Sequence, residues 1–148
     1  MSTVTNIRLF ALDDSEATLT LIETVIIEEG IQKYKLFRNS SDFLTDIDDS
    51  VHIAIIDHQL SGLITGLNIA EEIVSKHPRC FIIILSGMES VDLISEYVKI
   101  GIDYYINKNR KDFLIELGAG IRRGIRRTTQ DFEFWNKMLN RESTARIV

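Results

Sequence analysis

The chain has 148 residues but only one cysteine, Cys80, and it has no apolar run near the roughly 20 residues that a membrane span requires. One cysteine excludes an internal disulfide and suits a reducing compartment, so we expect a cytoplasmic protein. The first six residues also do not resemble a secretory signal, because they have no basic start before a long apolar run.

Histidine is also scarce, and acidic residues outnumber basic ones. The net charge of −5 argues against general nucleic-acid binding. His52, His58 and His77 do not have the HxxxH or HxxE spacing of a histidine-bound metal. One basic cluster, which we interpret as a solvated face near a helix C-terminus, comprises Arg122, Arg123, Arg126 and Arg127. The length indicates one domain that buries roughly 70 per cent of its chain surface.

Four apolar runs end in polar groups suited to chemistry. A run near the N-terminus ends in Asp13 and Asp14, two central runs end in Asp57 and Ser86, and a later run leads to Lys108. Such runs, with helix-like stretches between them, are typical of buried strands in a parallel sheet. Because sites in these sheets form at the carboxyl ends of the strands, the five side chains should meet at one edge. Three carboxylates, a hydroxyl and an ammonium suit a divalent cation and a phosphoryl group.

Strands and helices are predicted in alternation along the chain. The predicted strands are approximately Ile7–Leu12, Lys33–Arg38, Val51–Asp57, Cys80–Leu85 and Asp103–Ile106. The predicted helices run from Ser15 or Glu16 to Glu29, from a cap at Ser40 or Ser41 through Ile47, over Leu67–Lys76 and Ser90–Ile100, and finally to about Arg127. This (βα)5 pattern, with right-handed crossovers, predicts an α/β fold with a doubly wound parallel sheet and helices on both faces.

The order Asp13-Asp14, Asp57, Ser86, Tyr105 and Lys108 at successive strand ends resembles the receiver domain of bacterial response regulators. The likeness covers about residues 7–127. It implies a five-stranded, flavodoxin-like sheet in the order 2-1-3-4-5. Residues 1–127 would be the receiver domain, and residues 128–148 a C-terminal helical extension that serves as a tail or linker.

The resemblance also implies a role for each site residue. Asp57 would be the phosphoacceptor nucleophile. Asp14 and Asp57 would bind Mg²⁺ directly, Asp13 partly through water, and Gln59 through its backbone carbonyl. The Lys108 ammonium would neutralise the charge of the phosphoryl group.

In the same family the hydroxyl at Ser86 moves inward upon phosphorylation and donates to a phosphoryl oxygen. The ring at Tyr105 then turns into the vacated space. This population shift would change the surface formed by about Ser90–Arg127, where a partner protein or a second copy would bind.

Each residue also has a purely structural interpretation. Asp13 or Asp14 could cap the first helix, Ser86 could be a turn residue, and Lys108 a surface lysine. Asp57 is harder to explain in this way, because a carboxylate at the end of an apolar strand costs free energy unless it is used.

The sequence departs from the family pattern at two loops. Asn109 replaces the usual proline after Lys108, and a non-proline cis bond costs about 2.5–4 kcal/mol, so we expect a trans peptide there. In the loop after the phosphoacceptor, the family's proline and glycine are replaced by Ser61 and Thr65. Gly66 comes one position late, so we expect one extra residue in this loop.

The end of the chain is less regular. Glycines in the last helix would kink it, let it approach a neighbour closely, or be tolerated in an imperfect helix held by packing; they are Gly118, Gly120 and Gly124. Beyond them, Phe132, Trp135 and Leu139 have helical spacing but no obvious partner in a five-helix domain. They could pack back on the domain, pair with another subunit or lead into a further domain. We slightly favour self-association into a homodimer through this helix or tail.

Two main functions remain. The first is a signalling switch that accepts a phosphoryl group from a histidine kinase or phosphotransfer protein, acts on an unidentified downstream effector protein, and has slow self-dephosphorylation as its only catalysis. The second is a phosphate-independent dimerisation or docking module, which could be a fragment of a larger regulator. An aspartate phosphatase is disfavoured because Gln59 stands where a second acid is needed. Flavin binding is disfavoured because the loop after the first strand is too acidic to hold a phosphate without a metal ion.

Overall fold

A computed structural model, which describes residues 3–147, contains one five-stranded parallel sheet with helices on both faces. The strands are β1 Arg8–Leu12, β2 Lys33–Phe37, β3 Ile53–Asp57, β4 Phe81–Ser86 and β5 Tyr104–Asn107. The helices are α1 Glu16–Glu28, α2 Ser40–Asp46, α3 Gly66–Lys76, α4 Val91–Ile100 and α5 Phe113–Ile147, and a short 3-10 helix covers Thr3–Asn6. The order β2-β1-β3-β4-β5 confirms the predicted doubly wound topology.

Alternation of side chains along the strands divides the core into two layers. Leu9, Ile53 and Ile83 lie on the face covered by α1 and α5. Phe10 and Ile56 lie on the opposite face, which α2, α3 and α4 cover. Both faces of β3 and β4 are buried, which is why these strands read as continuous apolar runs.

Polar caps fix where the helices begin. The side chains of Ser15, Thr65 and Ser90 accept backbone N–H bonds at the starts of α1, α3 and α4. Asn39 caps α2, in place of the predicted Ser40 or Ser41. Gly101 ends α4 with a φ of 93°, a left-handed conformation that favours glycine.

The last helix continues without a break beyond the predicted end of the domain. At about 1.5 Å per residue, the 35 residues of α5 span about 50 Å. The four arginines at 122–127 therefore lie in the middle of a helix, and the prediction that they lie near its C-terminus is wrong. Arg122 pairs with Glu29 at 2.6 Å, and Arg127 pairs with Asp103 at 2.7 Å.

Glycines in α5 allow the helix to approach the sheet closely. A Cβ added at Gly124 would lie 2.9 Å from Ile53 Cδ1, and one at Gly120 would lie 2.8 Å from Tyr104 Cδ2. Because the helix continues through all three glycines, close approach explains Gly120 and Gly124 better than a break in the helix does.

The start of the tail packs back on the domain in part. The Phe132 ring meets the His52 ring edge-on at 5.4 Å, and the Arg79 guanidinium lies 4.5 Å from the centre of the Trp135 ring. Thr128 is the last buried residue of the described side chains. The division after residue 127 stays a prediction, because no change of secondary structure marks it.

Within the described residues, no helix combines the length and apolarity that crossing a bilayer requires.

Candidate functional site

Three carboxylates meet at the carboxyl edge of the sheet. Asp57 is the last residue of β3, and Asp13 directly follows β1, the strand beside it. Asp13, Asp14 and Asp57 each offer an oxygen within 4.8 Å of the other two. Asp13 and Asp57 are buried, whereas Asp14 is partly exposed. Neighbouring parallel strands thus bring together acids that are more than 40 positions apart in sequence, as the strand ends predicted.

Lys108 supplies the cation of this cluster. Its Nζ donates to Asp57 Oδ1 at 2.8 Å and lies 3.7 Å from Asp13 Oδ2. The backbone N–H of Lys108 donates to the carbonyl of Ser86 at 2.9 Å. This bond continues the pairing of β4 with β5 by one residue and so positions Lys108. Burial raises the pKa of Asp57, and the ammonium of Lys108 offsets part of that rise.

The electrostatics of Asp13 favour a bound cation. Burial raises the pKa of Asp13 to about 6; Asp57 and Asp14 add to that rise, and the Ser15 N–H and Lys108 oppose it. Asp13 Oδ1 accepts from Ser15 N at 2.9 Å, but Asp13 Oδ2 accepts no hydrogen bond from any residue that the structure describes. Oxygen donors around an incompletely bonded buried carboxylate fit Mg²⁺, which prefers such ligands and keeps several waters. The predicted Asp13, Asp14 and Asp57 are therefore grouped in a way that suits Mg²⁺.

The loop after β3 also contacts Asp57. The backbone N–H of Gln59 donates weakly to Asp57 Oδ1 at 3.4 Å. This contact places Gln59 beside the acidic cluster, while the metal-binding role of its carbonyl stays a prediction.

Ser86 and Tyr105 hold the same residue of the β4–α4 loop. Ser86 is fully buried, and its Oγ accepts from the N–H of Met88 at 3.0 Å. The Tyr105 hydroxyl donates to the carbonyl of Met88 at 2.9 Å, and its ring lies 5.8 Å from that of Tyr97. The two predicted switch residues are thus joined through Met88, and their role as a switch stays a prediction.

Asn109 also anchors this loop. Its Nδ2 donates to the carbonyl of Gly87 at 2.8 Å, and its backbone N–H donates to Asn107 Oδ1. No peptide bond among the described residues is cis, in agreement with the expected trans bond between Lys108 and Asn109.

Two further contacts beside the cluster were not anticipated from the sequence. The Ser61 hydroxyl donates to Asp14 Oδ2 at 2.8 Å. His58 Nδ1 lies 2.6 Å from the hydroxyl of Tyr97, which is fully buried. For the first contact, the sequence signal was the replacement of the family's proline by Ser61. No spacing signal links His58 to a helix 39 residues later.

This geometry defines a class of protein, a doubly wound α/β domain with an acidic cation site and a lysine at the carboxyl edge of its sheet. Residues 9–117 match the family described as the response regulator receiver domain, which covers most of the chain. The chain therefore belongs to the response regulator receiver domain family, the signalling domains of two-component systems, and it is related to them by sequence as well as by fold.

Similar proteins agree with this assignment. The transcriptional regulatory protein ComA of Bacillus subtilis is 21% identical over 141 residues, which cover 93% of this chain and 65% of ComA. This chain thus spans less than two thirds of the length of that relative.

Solved structures show the fold. A CheY-like receiver protein from Methanospirillum hungatei aligns with a TM-score of 0.75 at 20% identity, over 86% of this chain and 99% of that chain. The BeF3-activated receiver domain of DrrB, from Thermotoga maritima, aligns with a TM-score of 0.72 at 21% identity, over 81% of this chain and 97% of that chain.

Proposed function

We propose that the protein is a phosphorylatable receiver in which Asp57 accepts a phosphoryl group from a histidine kinase or a phosphotransfer protein in the cytoplasm. The observation that carries this proposal is the 2.8 Å contact between Lys108 Nζ and Asp57 Oδ1 within the cluster of three carboxylates. A buried nucleophile with its own cation and a metal site beside it is what transfer of a highly charged group requires.

In the transfer step, a carboxylate oxygen of Asp57 attacks the phosphorus of a phosphohistidine. The new O–P bond makes an aspartyl phosphate, the P–N bond breaks, and its electron pair returns to the imidazole. Lys108, which neutralises Asp57 before the reaction, is close enough to neutralise the oxygens of the transferred group afterwards. Slow hydrolysis of this acyl phosphate is the only catalysis that we assign to the domain.

Asp13, Asp14, Asp57 and the carbonyl of Gln59 would hold Mg²⁺. The ion supplies charge neutralisation on the phosphoryl oxygens when it is bound. The unbonded Oδ2 of buried Asp13 and the mutual repulsion of three carboxylates are the features of this chain that favour the ion.

The signal would pass through the β4–α4 loop. When the Ser86 hydroxyl donates to a phosphoryl oxygen, Ser86 moves away from the Met88 N–H, which now donates a hydrogen bond to Ser86 Oγ. Tyr105, bonded to the same residue, then reorients, and the surface of about Ser90–Arg127 changes for a downstream effector protein. Activation of the DrrB receiver by BeF3 and the regulatory role in the name of ComA support this proposal.

Intact mass after incubation with Mg²⁺ and acetyl phosphate tests the chemistry. We expect one phosphoryl adduct on the natural chain, none on Asp57→Asn, and an unchanged adduct on Asp92→Asn, which removes an exposed carboxylate from α4. The adduct should be lost in hydroxylamine, which cleaves acyl phosphates. A folded protein without any adduct, or an adduct that persists in Asp57→Asn, would contradict the proposal.

A docking module that works without phosphate is the second candidate. The exposed apolar side chains of the tail favour it, namely Phe134, Trp135, Met138 and Leu139. Residues 1–127 would then be the receiver body and residues 128–148 the part that binds. An intact fold that takes up no phosphoryl group but associates through the tail would support this candidate.

A further inference from the structure

The tail of α5 carries a line of four side chains that repeats as in a coiled coil. Asp131, Phe134, Met138 and Arg141 follow one another at i, i+3, i+7 and i+10, so they form one stripe along the helix, called here the tail stripe. Its two central members are apolar, and its two ends carry opposite charges.

The receiver body leaves much of this stripe exposed. The tail contacts the body through Phe132 on His52 and Trp135 under Arg79, which lie on an adjacent side of the helix. Phe134 remains 56% exposed and Met138 38% exposed. Among the described side chains, neither Asp131 nor Arg141 forms an ion pair, so the charges at both ends of the stripe are also available.

The stripe is complementary to itself when one copy is reversed. If residue 131 faces residue 141 of a second chain, residue 134 faces residue 138, and the same contacts recur on the other side of a two-fold axis. An Asp131–Arg141 pair then forms at each end. In the middle, Phe134 of each chain packs against Met138 of the other, a ring against a polarizable thioether. We propose that the tail stripe binds a second copy of this chain as an antiparallel helix pair.

Charge selects the antiparallel arrangement over the parallel one. Two parallel copies in register would place Asp131 against Asp131 and Arg141 against Arg141, and like charges in direct opposition are unfavourable. The antiparallel arrangement replaces both repulsions with attractions without changing the apolar contacts. The occupant of this face is therefore a second tail with the same sequence.

This association does not depend on Asp57. It should occur without Mg²⁺ or a phosphoryl donor, and it should persist in Asp57→Asn. The two proposals can thus fail separately: loss of the adduct tests the phosphoacceptor, and loss of the dimer tests the tail stripe.

Sedimentation equilibrium of the full chain is the first test. We expect a reversible dimer, weakened by about tenfold or more in Phe134→Ala because the two-fold axis makes each substitution count twice. Glu133→Arg, an exposed charge reversal on another side of the same helix, is the matched control and should leave the dimer unchanged. A monomeric natural chain, or a dimer that Phe134→Ala does not weaken, would overturn the proposal.

Charge exchange tests the pairing of the ends. Asp131→Arg and Arg141→Asp should each weaken the dimer, and the chain with both substitutions should recover it. Unchanged dimerisation in both single variants would contradict the pairing. Circular dichroism of each variant establishes that the helix has stayed intact.

Disulfide trapping tests the direction of the helices. An equimolar mixture of Asp131→Cys and Arg141→Cys chains should form a heterodimeric disulfide. Neither variant should cross-link alone, because ten residues at about 1.5 Å separate its two cysteines along the antiparallel pair. The natural Cys80 is buried and does not compete. Efficient cross-linking of Asp131→Cys with itself would establish a parallel pair and overturn the proposal.

Discussion

The Lys108 ammonium lies 2.8 Å from Asp57 Oδ1, although the residue that follows Lys108 is asparagine and not the proline usual in receivers. The backbone of Lys108 is held by the carbonyl of Ser86, and the Asn109 side chain is held by the carbonyl of Gly87. Two bonds to consecutive residues of β4 and its loop therefore position the lysine without a cis peptide.

Substitution of Lys108 by methionine should slow phosphorylation of Asp57. The change keeps much of the side-chain volume but removes the cation that offsets burial of Asp57 and that would stabilise the transferring group. We expect a fall of about tenfold or more in the rate of adduct formation with acetyl phosphate, measured by intact mass. Lys111→Met, at an exposed position of the same loop, is the matched control, and an equal rate in Lys108→Met would refute this role.

The stability of the metal-free protein should fall as the pH rises through the pKa of Asp13. The folded chain keeps the Asp13 proton up to about pH 6, whereas the unfolded chain releases it near 3.8. The stability that the protonated form provides is therefore complete below about pH 3.8 and is lost as pH rises through about 6. At about 1.4 kcal/mol per pKa unit, Asp13→Asn should be more stable by about 2–3 kcal/mol at pH 7.5 in EDTA.

Urea unfolding at several pH values checks this dependence on Asp13. The advantage of Asp13→Asn over the natural chain should grow between pH 4 and 6 and then level off. Asp92→Asn, an exposed helix position, should show no comparable gain. An Asp13→Asn protein that is less stable than the natural chain at pH 7.5 in EDTA would show that burial of this carboxylate carries no net cost.

Addition of Mg²⁺ should stabilise the folded protein, because the ion offsets the repulsion among the three carboxylates. An ion that binds only the folded state stabilises it by about 1.4 kcal/mol at ten times its Kd, so the thermal midpoint should rise with Mg²⁺ and fall again with EDTA. Asp14→Asn removes the most accessible ligand of the three and should abolish most of the rise. The same rise in Asp14→Asn would place the ion elsewhere.

Removal of the Tyr105 hydroxyl should loosen the β4–α4 loop without preventing phosphorylation. Tyr105→Phe loses the bond to the Met88 carbonyl but keeps the ring packed near Tyr97. We expect faster amide hydrogen exchange at residues 87–90 and an adduct yield like that of the natural chain. Tyr34→Phe, which removes a hydroxyl bonded to Glu23 at the opposite edge of the sheet, is the control. Unchanged exchange in the loop would mean that Ser86 and Asn109 hold it by themselves.

The sequence predicts much of this molecule because its strongest signals are local. Apolar runs that end in Asp13, Asp57 and Ser86 predict both the strands and the edge where the site forms, since parallel strands bring their carboxyl ends together. The contact between Ser61 and Asp14 could not be predicted in this way, because it depends on how the loop after β3 folds. The bond between His58 and Tyr97 likewise joins a loop to a helix through packing alone.

The tail shows the same limit. Helical spacing predicts Phe132 and Trp135 on one side of a helix, but not that His52 and Arg79 cover that side. Those two residues precede β3 and β4, at the sheet edge opposite the acidic cluster. Only the strand order and the path of α5 bring them near the tail.

The glycines of α5 provide a final prediction with an internal control. Alanine gains about 1 kcal/mol over glycine in a helix interior, so helix propensity alone predicts that both Gly118→Ala and Gly124→Ala stabilise the protein. At Gly124, however, the new Cβ would lie 2.9 Å from Ile53 Cδ1 and 3.0 Å from Phe81 Cδ1, both buried in the core. At Gly118 its nearest neighbour would be Glu29 Oε2 at 3.0 Å, the end of a flexible side chain.

We therefore expect Gly124→Ala to lower the free energy of unfolding by about 1–3 kcal/mol and Gly118→Ala to raise it by up to about 1 kcal/mol. Urea unfolding of the two variants decides the matter: stabilisation by both would mean that α5 moves away from the sheet without cost.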